Sequence, residues 1–318
     1  MIYSSNKMMS SSENEQANAP LVTVVVSAYN SADYVNRAVR SVCVQTFTDY
    51  ELLVIDDCSE ACVVGQYELP CSARLICLDR NHGHASAGRN LGIREARGKY
   101  VAFLDMDDVW LPTKLATQVA MLEADPAAGL TFGPVLLADE AVGVIGRQSL
   151  PVLNVTKPLR RMVYENFIQT PSCVLARRDV LIECGLFDEQ LYGCEDWDMW
   201  LRIAMRYPFC IDPTPLVIYT VHSGNPARRT ERMVGSKSQV YRKLLTWAES
   251  ERRDLRPLIR RRTASALRGL ARFQMSEGGS PLRAVQTLRM AASAWPLTIT
   301  NYTLAMKALF LMSGRFRR

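Results

Sequence analysis

Gly98-Lys99-Tyr100-Val101-Ala102-Phe103-Leu104-Asp105-Met106-Asp107-Asp108 is the stretch on which the fold turns. Its apolar run reads as a strand covered on both faces, as in a parallel sheet. The run leads straight into three carboxylates within four residues. Clustering them without compensation costs on the order of several kcal/mol in repulsion and desolvation. A divalent cation offsets that cost, and hard oxygen ligands suit Mg²⁺ or Mn²⁺. Such an ion also binds diphosphate oxygens. The alternative is a solvated turn at the strand end, with the acids capping the next helix.

Working outward, the same pattern repeats. Leu21–Ser27 is an apolar, β-branched run followed by Tyr29-Asn30, and Glu51–Ile55 ends at Asp56-Asp57. Arg74–Leu78 reads as a further strand. Helical spacing is predicted over Ala32–Val44, with Asp33 at its start, and over His84–Arg97, closed by Gly98. A helix over Lys114–Ala124 and a strand over Gly129–Leu137 follow. Thr170–Ala176 reads as extended, and Asp196–Arg206 as a helix with an aromatic face. Alternating strands and helices predict an α/β fold with a doubly wound parallel sheet. In such sheets ligands bind at the carboxyl ends of the strands, so carboxylates some 50 residues apart converge there.

Individual residues carry two readings each. Asp56-Asp57 suits a hydrogen bond from uracil N3–H or from ribose hydroxyls, or plain turn and capping chemistry. Glu195-Asp196 opens a helix and complements its N-terminal dipole, or is presented to a crevice by Gly193-Cys194. His222 completes a metal shell as a neutral imidazole, or is structural. His82 and His84 read as ordinary loop and helix-start residues.

The charge is unevenly spread. The chain of 318 residues carries +6, yet residues 251–318 alone hold 14 Lys/Arg and 3 Asp/Glu, or +11, which leaves −5 elsewhere. A basic tail meets an anionic membrane surface, an anionic acceptor or nucleic acid, or is a solvated helical face. The tail lacks interleaved surface aromatics and a recognisable nucleic-acid module, which argues against nucleic acid. Its helical spacing, for example Ala284, Leu288 and Ala291, predicts helices packed on the α/β body or on a second subunit, the latter giving a homo-oligomer. Trp295–Met312 is interrupted by Thr298, Asn301 and Lys307, and fits a packed or interfacial helix better than a membrane span. Nine scattered cysteines without a CxxC read as reduced thiols. Residues 1–19 are polar, lack a secretory core, and read as a flexible tail. Together these predict a cytoplasmic protein, peripheral on the inner membrane face if the basic helices meet lipid.

The motifs taken in order resemble the family 2 glycosyltransferases. They are Val24–Asn30, Gln45–Glu51, Val54-Ile55-Asp56-Asp57-Cys58-Ser59, Ala87-Gly88-Arg89-Asn90-Leu91-Gly92, Gly98–Asp108 and Tyr192–Arg202. The resemblance spans roughly residues 20–225. It implies a GT-A-type, mostly parallel, Rossmann-like sheet flanked by helices as the catalytic domain over 20–225. Residues 226–318 then form a basic helical C-terminal appendage. It also implies a nucleoside-diphosphate sugar donor, most readily a UDP-sugar, and a glycan or lipid-linked acceptor hydroxyl in polysaccharide biosynthesis. The segment with Ser27 and Tyr29, together with Asp56 and Asp57, would hold the nucleoside. Arg89 and Asn90 would line the donor pocket, and Asp105 would touch ribose or metal. Asp107, with Asp105 and His222, would hold the divalent cation, and Asp196 would be the catalytic base of an inverting displacement. The rival reading is a nucleotide-sugar binding protein without transfer activity. Cys58 departs from the family pattern, which has Gly there. A β-carbon resists φ > 0, so this reading predicts a different turn.

Overall fold

A computed structural model describes residues 19–139, 143–147, 157–222, 230–276 and 279–312. The expected tail over residues 1–19 lies almost wholly outside them. In chain order the elements are β1 Val22–Ala28, α1 Ala32–Cys43, β2 Tyr50–Asp56, α2 Ala61–Val64, β3 Arg74–Cys77, α3 Ser86–Glu95, β4 Tyr100–Asp105, β5 Val109–Trp110 and α4 Lys114–Ala124. They continue with β6 Leu130–Phe132, β7 Val135–Asp139, β8 Gly143–Arg147, α5 Leu159–Met162, β9 Leu175–Arg177, α6 Arg178–Glu183, α7 Glu195–Ala204, β10 Phe209–Ile211 and β11 Val217–Val221. Four helices follow: α8 Glu231–Ser250, α9 Arg256–Gln274, α10 Pro281–Ala294 and α11 Ile299–Met312.

The chain divides into two compact units. The first gathers Met1–Pro158, Phe167–Phe187 and Arg202–His222, and the second Leu159–Asn166, Asp188–Leu201 and Ser223–Arg318.

The first unit is built on a seven-stranded sheet in the order β10-β6-β9-β4-β1-β2-β3. β1 is the centre. Val22, Val24, Val25 and Val26 are fully buried, and it pairs in parallel with β2 and β4. The order β3-β2-β1-β4 reverses direction between β1 and β4, which opens a crevice at their carboxyl ends. β9 runs antiparallel to both β4 and β6, so the sheet is mixed rather than purely parallel. Helix α3 lies close on this sheet because Gly92 has no side chain. A Cβ there would stand 2.5 Å from Val25 Cγ1.

A second sheet of four strands, in the order β5-β11-β7-β8, completes the unit. The expected single strand over Gly129–Leu137 is therefore two strands in two sheets. The break falls at Gly133-Pro134. Pro134 has no N–H for a ladder, and a Cβ on Gly133 would meet the Asp212 carbonyl oxygen at 2.9 Å.

Two other expectations shift locally. The helix expected to run to Arg97 ends at Glu95. Glu51, buried beside Thr23, accepts from the Arg97 N–H at 2.7 Å and from its Nε at 2.9 Å, and so takes Arg97 out of the helix. The extended run at Thr170 begins with one 3-10 turn, Pro171–Cys173, whose Ser172 N–H donates to Thr170 Oγ1.

In the second unit α9, α10 and α11 pack on one another. Ala271, Ala284, Val285, Leu288 and Ala308 form one buried cluster, and Ala264, Leu267 and Ala291 another. Small residues at these contacts let the helix backbones approach closely. Thr230 caps α8 and Ser280 caps α10, each accepting from a backbone N–H three residues on.

Candidate active site

Strand register sets the site. Ser27 at the end of β1 stands beside Asp105 of β4, and Ala28 stands beside Asp56 of β2. The chain leaves the sheet at this level, and a cavity of about 370 Å³ opens there. Ser27, Tyr29, Asp57, Arg89, Asp105 and Asp107 all line it. Six of the residues singled out from sequence are thus brought together.

Asp57 is held by the loop after β3. Its carboxylate accepts from the His82 N–H at 3.0 Å and the Gly83 N–H at 3.2 Å, and His82 Nδ1 lies 3.0 Å from Oδ1. Backbone donors fix its direction at the cavity wall. Tyr29 is half exposed, and its N–H donates to Met106 Sδ at 3.3 Å.

Arg89 is buried at the cavity floor and donates to Asp105 Oδ1 at 2.6 Å. Ser172 Oγ accepts from the Asp105 N–H at 3.0 Å. Asp107 Oδ2 lies 3.0 Å from His222 Nε2, and the Asp107 carbonyl accepts from Arg37 at 2.8 Å. Antiparallel pairing of β11 with β5 brings His222 there, since it registers Ile218 with Val109. Burial, and then the nearby Asp105 charge, push the Asp107 carboxyl above its ordinary range. Asp108 is buried completely and is pushed up further, by burial first and then by Asp105 and Asp107. Thr170 Oγ1 donates to its Oδ2 at 3.0 Å. Of the three clustered acids, Asp105 and Asp107 face the cavity, and Asp108 anchors the turn.

Two expected pocket residues are turned elsewhere. Asp56 is fully buried, and accepts from the Ser59 N–H and Oγ and from Tyr67 OH at 2.6–2.7 Å. It does not line the cavity, because its oxygens hold the 56–59 turn. Asn90 faces Phe187, accepting from its N–H at 2.8 Å and donating to its carbonyl at 2.9 Å. That clamp joins α3 to a segment 97 residues away. The different turn expected at Cys58 is not found, and the residue takes the left-handed form that a glycine there would adopt. Cys58 takes φ +63° itself.

The structure adds lining residues that sequence reasoning passed over, among them Met106 and Asn81, and also His84, which reads from sequence as an ordinary helix-start residue. His84 Nδ1 is buried without a hydrogen-bond partner among the described residues. Its signal in the sequence was only its place before the Ala87–Gly92 motif.

Asp196, the second residue of α7, belongs to the second unit. Asn166 Nδ2 donates to its Oδ2 at 2.9 Å, and the Trp197 N–H donates to Oδ1 at 2.6 Å. Trp197 anchors this helix start, donating from Nε1 to the Met162 carbonyl at 2.9 Å.

Among the described residues no cluster of three His, Cys, Asp or Glu side chains has the geometry of a metal site. The Asp107–His222 pair supplies one oxygen and one nitrogen donor, and Mg²⁺ sites commonly take one or two protein ligands with phosphate oxygens and water completing the shell. The donor set fits an ion that binds together with a diphosphate. All nine cysteines are free thiols.

Comparison with known proteins agrees with this geometry. Residues 23–185, just over half of the chain, match the model of glycosyl transferase family 2. The putative colanic acid biosynthesis glycosyl transferase WcaA of Escherichia coli is 28% identical over 236 residues, covering 71% of this chain and 82% of that protein. Residues 1–349 of S. aureus TarS, crystallised with UDP-GlcNAc, superpose with a TM-score of 0.66 at 19% identity over 93% of each chain. The mannosyltransferase PcManGT of Pyrobaculum calidifontis, in complex with GDP-Man and Mn²⁺, gives 0.53 at 20% identity over 92% of this chain and 85% of that one. These likenesses bear out the GT-A arrangement, and the family match identifies the chemistry: the chain is a glycosyltransferase and belongs to glycosyl transferase family 2.

Proposed function

We propose that the enzyme transfers a sugar, with inversion, from a nucleoside-diphosphate donor to an acceptor hydroxyl of a growing glycan. The observation that carries the proposal is the convergence of Asp57, Arg89, Asp105 and Asp107 on one cavity at the ends of β1, β2 and β4. The donor is a UDP-sugar in this reading, supported by the UDP-GlcNAc complex of the TarS neighbour. The biosynthetic role of WcaA supports polysaccharide assembly as the setting.

In this reading Asp57 accepts a hydrogen bond from the base or ribose, and Tyr29 lies against the base. Asp105, oriented by Arg89, meets the ribose. Asp107 and His222 hold a divalent cation, Mn²⁺ or Mg²⁺, supported by the Mn²⁺ bound in PcManGT. That ion supplies positive charge beside the diphosphate. Asp196 is the base, an assignment supported by its place in the Tyr192–Arg202 motif. It takes the acceptor hydroxyl proton as the oxygen attacks the anomeric carbon. The bond to the diphosphate breaks as the new bond forms, and the nucleoside diphosphate leaves with the electron pair. Attack from the face opposite the leaving group inverts the configuration.

The test is a panel of UDP- and GDP-sugars, with and without Mn²⁺ or Mg²⁺, read as thermal stabilisation and as nucleotide release. At 100 times the dissociation constant a true donor stabilises by about 2.7 kcal/mol. Asp196→Asn should keep that stabilisation and lose transfer by about 10²-fold or more. Stabilisation without transfer in the wild-type chain favours the inactive binding protein. No metal-dependent stabilisation by any nucleotide sugar overturns the proposal.

A further inference from the structure

The last helix of the second unit is apolar on two sides. Inward, Leu304, Ala305 and Ala308 of α11 pack on the cluster from α9 and α10. Outward, Ile299, Tyr302, Met306, Leu309 and Phe310 are exposed, as is Leu297 just before the helix, by 43–85%. Their spacing of three and four places Ile299, Tyr302, Met306 and Leu309 on one stripe. An outer face of a water-facing helix ordinarily carries charge, yet the only charged residue of α11 is Lys307.

The charge carried by this stretch of the sequence has one sign. Residues 279–318 contain six Lys/Arg and no Asp/Glu. Arg289 of α10 and Lys307 are exposed, whereas Arg283 lies 3.9 Å from the Glu231 carboxylate. An apolar stripe set among cations matches an anionic bilayer surface, whose headgroups attract the cations while the acyl boundary takes the side chains. A 14-residue helix is about 21 Å long, short of a hydrocarbon core of about 30 Å. Among the described residues no helix is long and apolar enough to cross a membrane. A second copy of the chain fits less well. The outer face of such a helix, about 10 Å wide, offers on the order of 200 Å², against about 800 Å² per partner in a stable interface. The like charges would also face each other across a two-fold.

We propose that the outer face of α11 lies in the plane of an anionic lipid surface, with Ile299, Tyr302, Met306 and Leu309 in the acyl boundary and Arg289 and Lys307 at the headgroups. This adds a place of work to the transfer reaction but does not depend on it, because the test contains neither donor nor acceptor.

The test is sedimentation of the full chain with vesicles of phosphatidylcholine alone or of phosphatidylcholine and phosphatidylglycerol at three to one. The wild-type chain should pellet several-fold more on the anionic vesicles. Met306→Glu with Leu309→Glu should lower that partition at least ten-fold. Both positions are exposed, so the melting temperature should hold. Arg289→Ala with Lys307→Ala should weaken binding to anionic vesicles without touching the apolar stripe. Three results overturn the proposal: a wild-type chain that stays in the supernatant, equal pelleting of wild type and both variants, or a dimer in light scattering that the glutamate pair dissociates while vesicle binding is absent.

Discussion

His222 Nε2 lies 3.0 Å from Asp107 Oδ2, although 115 residues separate them in the chain. In the proposed reading this carboxylate and imidazole, beside the cavity that Asp105 and Asp107 line, would form a donor pair for one ion. His222→Ala should therefore weaken UDP binding in Mn²⁺ by about ten-fold or more, the scale on which changes around a bound metal register. Binding without metal should be unaffected. Calorimetric titration of UDP with and without Mn²⁺ decides it, and equal affinities for variant and wild type in Mn²⁺ would remove His222 from the metal shell.

Asn166 Nδ2 donates at 2.9 Å to Oδ2 of Asp196, the proposed base. A base acts only from a fixed geometry. Asn166→Ala should lower kcat about ten-fold, within the range that positioning commands, and leave the donor dissociation constant unchanged. Parallel measurement of kcat and of equilibrium donor binding separates the two. A loss confined to donor affinity would show that Asn166 serves the donor and not the base.

What the sequence reveals and what it hides have a common physical basis. β1, β2 and β4 are legible because each is a continuous apolar run buried on both faces, and α4 is legible from its helical spacing. The pairing partners are not. β5 is two residues long, and its partner β11 begins 108 residues after it starts. Nothing local in Val109-Trp110 announces a sheet, so the route that brings His222 to Asp107 stays hidden even where both residues draw attention. Asp56 and Asn90 fail for the opposite reason. Their motifs are visible, but the groups they bond, Tyr67 and Phe187, are fixed only by the fold. A polar residue in a family motif is as apt to hold the scaffold as to touch the ligand.

Cys58 illustrates a local rule overridden by its surroundings. It holds φ +63° because its neighbours over-determine the turn: Ser59 is tied to Asp56 on one side, and its Oγ accepts from the Asn30 N–H at 2.7 Å on the other. A β-carbon in that region costs about 1–2 kcal/mol. Glycine gives back part of the gain by enlarging the unfolded ensemble, by about 0.4–1 kcal/mol. Cys58→Gly should therefore raise stability by about 0.5–1 kcal/mol, seen as a higher urea midpoint at unchanged slope. A lower midpoint would mean that the thiol makes a stabilising contact that outweighs the strain.

Lys114 presents a cost of another kind. It is the first residue of α4, it is fully buried, and its Nζ lies 3.9 Å from the Trp110 ring centroid and 3.3 Å from the Val174 carbonyl that accepts from it. Burial lowers its pKa from 10.5 to about 7. Below pH 7 the ammonium is protonated in both states, so this residue gives stability no pH slope there. Between about 7 and 10.5 the unfolded chain holds a proton that the folded chain has released. Stability then rises with pH, at up to about 1.4 kcal/mol per unit. From pH 7 to 9 the wild-type chain should gain on the order of 2 kcal/mol from this group. Lys114→Met keeps the volume and removes the titration. Its stability should match or exceed the wild type at pH 7, and the difference between the two should close as pH rises. Urea unfolding of both proteins at pH 6, 7, 8 and 9 measures this directly. Parallel profiles across the series would mean that the Trp110 ring and the Val174 carbonyl hold the ammonium charged in the core.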